Sequence, residues 1–191
     1  MIQRYTRKEM GNIWSDENKF RKWLLVEIAV CEAWAELGKI PEQALREIKE
    51  KADFDLKRID EIEATVKHDV IAFLTAVAEK VGTVSRYIHM GLTSSDVVDT
   101  AQALLMKEAG ELIMEDLKRI NELFREKAFQ YKDTICMGRS HGVHAEPTSF
   151  GLRFALWYEE AGRNIDRLAS AIDRISVGKI SGAVGTFSNM P

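Results

Sequence analysis

The chain contains little that would interrupt a helix. Only three prolines occur in 191 residues. Proline removes a helix hydrogen bond and clashes with the preceding turn, so their scarcity suits an α-rich chain. The two cysteines, Cys31 and Cys136, are far apart and share no metal-ligand spacing. They fit a reduced, cytoplasmic setting, with Cys31 packed in a helix. No apolar run approaches the ~20 residues that cross a bilayer, and residues 1–14 lack the apolar core of a signal peptide. Charge of one sign is also missing. Lys and Arg number 27 against 30 Asp and Glu, for a net charge of -3, which leaves no broad basic field for nucleic acid. With 46% hydrophobic and 30% charged residues, the composition is that of an ordinary globular protein of one or two domains.

What is present is helical periodicity. Ser15 caps a helix with Asp16 and Glu17 in its first turn. Phe20, Trp23, Leu24, Ile28, Cys31 and Trp34 form its apolar stripe, and Gly38 and Pro41 end it. Shorter helices are predicted at about 41–52, 55–66 and 69–81. From 95 to about 132 there is no proline and one glycine, Gly110. Ile113, Leu117, Ile120 and Phe124 step along one face. A helix of ~36 residues would be ~54 Å long, beyond the reach of a small local core. A second long helix is predicted from Pro147, a suitable first-turn proline, with Phe150, Phe154, Trp157 and Ala161 in its stripe. Strand signals are nearly absent, and the glycine-rich tail reads as a loop or short hairpin. The expected fold is all-α. A small N-terminal helical domain (1–92) precedes the first long helices of a central bundle (93–191), truncated before the bundle closes.

Four segments could carry chemistry. Residues 137–147 read MGRSHGVHAEP and place His141 and His144 in a glycine-flanked stretch between long helices. Imidazole exchanges protons near neutral pH, and loops held by rigid elements are common sites for such groups. Acid–base use of these histidines ranks first, a structural hydrogen-bonded histidine second. A metal pair ranks last, because the spacing is three and Gly142 interrupts any helix. In Lys67-His68-Asp69, either His68 faces a cleft or Asp69 simply caps the next helix beside a solvated His and Lys. In Gly91-Leu92-Thr93-Ser94-Ser95-Asp96, three hydroxyls open the long helix. They suit an anion at the positive helix end, or else Ser94 or Ser95 is an ordinary cap with Asp96 complementing the dipole. His89 lies on the same approach. Arg4-Tyr5 could hold a phosphate, or be a solvated Arg beside a packed Tyr.

Taken together, Arg4-Tyr5, Lys67-His68-Asp69-Val70, residues 89–100 (HMGLTSSDVVDT), 137–147 and 178–185 (GKISGAVG) resemble the adenylosuccinate lyase family of the fumarase/aspartase superfamily. The resemblance spans the chain and is closest to the shorter bacterial form. It implies three all-helical domains, a homotetramer joined by central bundles, and active sites built from three subunits. It implies elimination of fumarate from adenylosuccinate to give AMP, and from the related succinyl-aminoimidazole carboxamide ribotide of purine synthesis, with no cofactor or metal. His141 would protonate the leaving nitrogen, and His68 would orient the substrate or support that transfer. Arg4 and Tyr5 would hold the nucleotide phosphate, and Lys67 and Asp69 would line the nucleotide site. Thr93 and Ser94 would bind the succinyl portion, with His89 at a phosphate or carboxylate. Ser140 stands where many relatives carry threonine, and keeps the hydroxyl. The family's general base is a serine on a methionine-containing loop of the C-terminal half, beyond residue 191. These residues alone are therefore expected to show little lyase activity. Two other readings remain: another superfamily member, such as argininosuccinate lyase or a lactonising enzyme, or a catalytically silent helical assembly module.

Overall fold

The structure is a computed structural model that describes residues 2–190. After a 3₁₀ turn at Gln3–Tyr5 come helices α1 (Lys8–Ile13), α2 (Asp16–Glu36), α3 (Glu42–Lys51), α4 (Leu56–Val66) and α5 (Asp69–Val81). A second 3₁₀ stretch, Gly82–Tyr87, leads to the long α6 (Ser94–Gln130). Strands β1 (Ile135–Ser140) and β2 (Val143–Ser149) and helix α7 (Phe150–Ile175) follow. Among the described residues, one antiparallel hairpin is the only sheet, and the other regular elements are helical. No helix among the described residues is long and apolar enough to cross a membrane.

Two compact units emerge. The first takes residues up to 106 together with those from 176 onward, and the second takes 107–175. The boundary expected at 92/93 lies inside the first unit, because the tail returns to the start of α6. There the Lys179 ammonium donates to the Asp96 carboxylate at 2.7 Å. Thr100 also donates its hydroxyl to the Lys179 carbonyl and accepts the Lys179 N–H.

The first unit has a closed core. Ser15 caps α2 by accepting the Asn18 N–H, and the stripe that begins at Phe20 turns inward. Phe20 stacks on Phe73 of α5 at 5.6 Å, while Trp23 and Phe54 meet Phe73 edge-on. Ile48, Ile59 and Val77 are fully buried around them. Burying a large apolar side chain is worth about 1.5–3 kcal/mol, so this cluster fixes how α2 to α5 pack. Ion pairs close its rim: Asp53 accepts from both Arg21 and Lys80, and Arg58 of α4 grips Glu79 of α5 with two nitrogens.

The second unit is thinner. Phe124, Phe154 and Trp157 meet at 5.5–5.7 Å, and Phe150 and Phe154 pack on Tyr131. Gly110 is the one glycine of α6, and a Cβ there would stand 2.7 Å from Ile172 of α7. That close approach justifies glycine where alanine is the better helix former. Much apolar surface is left open, including Phe129, Leu152 and Leu156, each more than 60% exposed.

One local expectation is corrected. Pro147 does not start α7. It lies in β2 opposite Met137, and the helix begins three residues later, after Ser149 has accepted the Gly151 N–H and donated to Lys132 O.

Candidate active-site residues

The hairpin positions His141. β1 and β2 are joined by the two-residue loop His141-Gly142, with Ser140 paired to Val143. Both loop residues have positive φ, 53° and 76°, as in the tight turn that matches strand twist. His141 thus sits at the tip, exposed. Asn, Asp or Gly adopts this conformation more readily than His. The register shifts between Met137 and Arg139, where a Cβ on Gly138 would collide with the Glu146 carbonyl. This bulge re-aims the strand just before the tip. His144 points elsewhere: its Nε2 lies 3.3 Å from Arg139 Nη2.

Lys67-His68-Asp69 forms the α4–α5 junction. Lys67 takes the left-handed conformation, φ 55°, and ends α4. His68, not Asp69, caps α5: its Nδ1 accepts the Ile71 N–H at 3.4 Å. Asp69 follows as the first helical residue, accepting the Val70 N–H. The side chains of His68 and Asp69 are 42% and 55% exposed.

The opening of α6 is built around a carboxylate. Asp96 is fully buried. One oxygen reaches back to the Thr93 N–H at 2.9 Å, so neither serine is the cap, and the Thr93-x-x-Asp96 pattern closes the first turn. The other oxygen receives Lys179 Nζ and the Ser181 N–H, and the Gly182 N–H reaches both. Burial alone would raise the Asp96 pKa. The hydrogen bonds from Lys179, Ser181 and Thr93, with the Lys179 charge, outweigh it and hold the carboxyl below the ordinary range. Lys179 also donates to Ser95 Oγ at 3.0 Å. Thr93 and Ser94 are thereby fixed at the helix end, where an anion is favoured.

His89 is held by Glu27 of α2. The Glu27 side chain is 1% exposed, and its Oε1 is 2.6 Å from His89 Nδ1. Its Oε2 accepts the His89 backbone N–H at 2.8 Å. His89 has φ 65°. The thiol of Cys31, one turn along α2, is pushed up to about 12 by burial and by the Glu27 and Glu32 charges. It therefore remains a protonated donor to Tyr87 O. Arg4 and Tyr5 are exposed on the N-terminal 3₁₀ turn, with the guanidinium 4.8 Å from the Tyr5 ring centre.

Within the first unit, direct bonds gather Thr93, Ser95, Asp96 and Lys179 into one cluster and tie His89 to Glu27. The bonds of the 67–69 group are local, as is the Arg4–Tyr5 contact. His141 belongs to the second unit. The sequence reading missed Glu27 and gave Asp96 only the role of complementing the helix dipole. The signal for Asp96 was the Thr-x-x-Asp spacing. The signal for Glu27 was an acid placed four and seven residues before Cys31 and Trp34, on the buried side of α2.

The profile of a family described as Lyase matches residues 3–191. Adenylosuccinate lyase of Aquifex aeolicus (strain VF5) is 58% identical over the whole of this chain, and that of Bacillus subtilis (strain 168) 54%. The chain spans 44% of the length of each. Among solved structures, a fumarate lyase from Mesorhizobium sp. BNC1 superposes with a TM-score of 0.90 at 27% identity. It covers 97% of this chain and 45% of the other. A 3-carboxy-cis,cis-muconate lactonizing enzyme from Pseudomonas putida gives 0.89 at 28%, covering 97% and 44%.

Proposed function

The chain belongs to the lyase family, and we propose that it is the N-terminal part of an enzyme that eliminates fumarate from adenylosuccinate to give AMP, and from succinyl-aminoimidazole carboxamide ribotide. The observation that carries the reading is the 51–58% identity, along the full chain, to relatives named adenylosuccinate lyase. In this reading residues 1–92 are the N-terminal helical domain and 93–191 the first part of a central bundle.

The chemistry is a proton-assisted C–N cleavage. A base removes a proton from the succinyl carbon, the C–N bond breaks, and the departing purine nitrogen takes a proton. His141 is the acid that supplies it; a positioned acid contributes about 10²–10⁴-fold. His68 orients the substrate or supports that transfer. Thr93 and Ser94 bind the succinyl carboxylates at the positive end of α6. Arg4 and Tyr5 hold the phosphate, Lys67 and Asp69 line the nucleotide, and His89 meets an anionic group. Left-handed strain supports this assignment. Four non-glycine residues among those described have positive φ, and Lys67, His89 and His141 are three of them. Each such residue costs about 1–3 kcal/mol, and such strain clusters at functional sites.

The base lies outside these residues, so residues 1–191 alone release no fumarate at ordinary enzyme rates. The complete protein is a cytoplasmic homotetramer in this reading. The open apolar face of α6 and α7 supports assembly, and the free thiols Cys31 and Cys136 suit a reducing compartment. The test is fumarate release by the complete protein from adenylosuccinate and from argininosuccinate, measured side by side. Turnover of adenylosuccinate alone upholds the proposal. Turnover of argininosuccinate alone, or of neither, rejects it.

A further inference from the structure

The stretch 87–90 is pinned to α2 by three side chains at positions i, i+4 and i+7. Glu27 takes the His89 N–H and Nδ1, Cys31 donates to Tyr87 O, and Trp34 Nε1 donates to Met90 O at 2.8 Å. These offsets lie on one face of a helix. The residue that follows is closely packed as well. A Cβ at Gly91 would stand 2.9 Å from the Asn189 carbonyl and 3.2 Å from the Trp34 ring.

Of the three contacts, the Glu27 contact is costly and specific. A carboxylate at 1% exposure gives up its hydration and must be repaid by donors. Among the described residues, the groups that meet it are the backbone N–H and the ring Nδ1 of His89. With Glu27 as the carboxylate, which only accepts, the 2.6 Å contact places a proton on Nδ1. In water, neutral imidazole prefers the opposite tautomer, with the proton on Nε2. The backbone is also in a region that non-glycine residues avoid, and the Oε2 bond to the His89 N–H holds it there.

We infer that Glu27 is a positioning residue that fixes both the left-handed backbone and the Nδ1–H tautomer of His89, leaving Nε2, which has no protein partner among the described residues, for a ligand. The choice of an anionic substrate group as that ligand rests on the function proposed above; the tautomer does not. The same arrangement, a carboxylate setting which ring nitrogen is free, orients histidines in many sites.

The test labels histidine ring nitrogens with ¹⁵N and records two-bond ¹H–¹⁵N spectra of this chain near pH 8. Wild-type His89 is expected to carry a proton on Nδ1. In Glu27→Met, which keeps the length of the side chain but has no acceptor, His89 reverts to the Nε2–H form, while His141 and His144 are unchanged. A wild-type Nδ1 without a proton overturns the inference, and so does an unchanged tautomer in the folded variant. Should the variant fail to fold, the wild-type spectrum still decides. In the complete protein, Glu27→Met is expected to raise KM about tenfold or more, with kcat within about threefold. A tautomer change with unchanged KM keeps Glu27 as the positioning residue and removes the anion contact of His89 instead.

Discussion

The two compact units bury their apolar residues to very different degrees. In the first, five aromatic side chains and the aliphatic side chains of α3 to α5 are sealed from water, with Ile48, Ile59 and Phe73 at 0% exposure. In the second, only small residues such as Ala109, Gly151 and Ala161 are buried, while Phe129, Leu152 and Leu156 face outward. The first unit is therefore shaped by its own core. The second leaves an apolar face open, and it carries the exposed His141 at its hairpin tip. Candidate substrate contacts sit on the unit with the closed core, and the candidate acid sits on the unit with the open apolar face.

That contrast can be broken by substitution. Phe73→Ala empties the centre of the first core and is expected to cost about 3–5 kcal/mol, read from urea unfolding of this chain. A loss below about 1 kcal/mol would show that the aromatic cluster does not hold the unit. Asp96→Asn comes next. It leaves Lys179 without its carboxylate and turns an amide toward the Ser181 and Gly182 N–H groups. The expected cost is about 1–3 kcal/mol, with the tail more open to proteolysis after Lys179.

Acid should act through the same group. Asp96 binds its proton less readily in the folded state than in the unfolded chain. Its stabilisation is therefore complete above the ordinary aspartate value of about 3.9. It falls away as pH drops through the lower folded value. In a stability–pH profile, Asp96→Asn is predicted to flatten this acid limb. Trp157→Ala should matter least in the 191-residue chain, about 1 kcal/mol, because the ring is already 44% exposed. In the complete protein the same change should weaken assembly, as read by sedimentation.

The helices were legible because their stripes repeat at helical spacing from Phe20 to Trp34 and again from Ile113 to Phe124. The hairpin was not. Both of its strands are largely exposed, so no inside–outside alternation reaches the sequence. Its turn uses His-Gly where Asn-Gly would have signalled, and Pro147 imitates a helix start. The site showed the same divide. His68, His89 and His141 could be singled out by residue type. That His68 is itself the cap and that Glu27 holds His89 depend on contacts, some of them 62 residues apart in sequence.

His141 is the proposed acid, and single-turnover fumarate release by the complete protein tests this directly. His141→Ala is predicted to slow the chemical step on adenylosuccinate by about 10²–10⁴-fold with nucleotide affinity nearly unchanged. An undiminished rate would contradict the account.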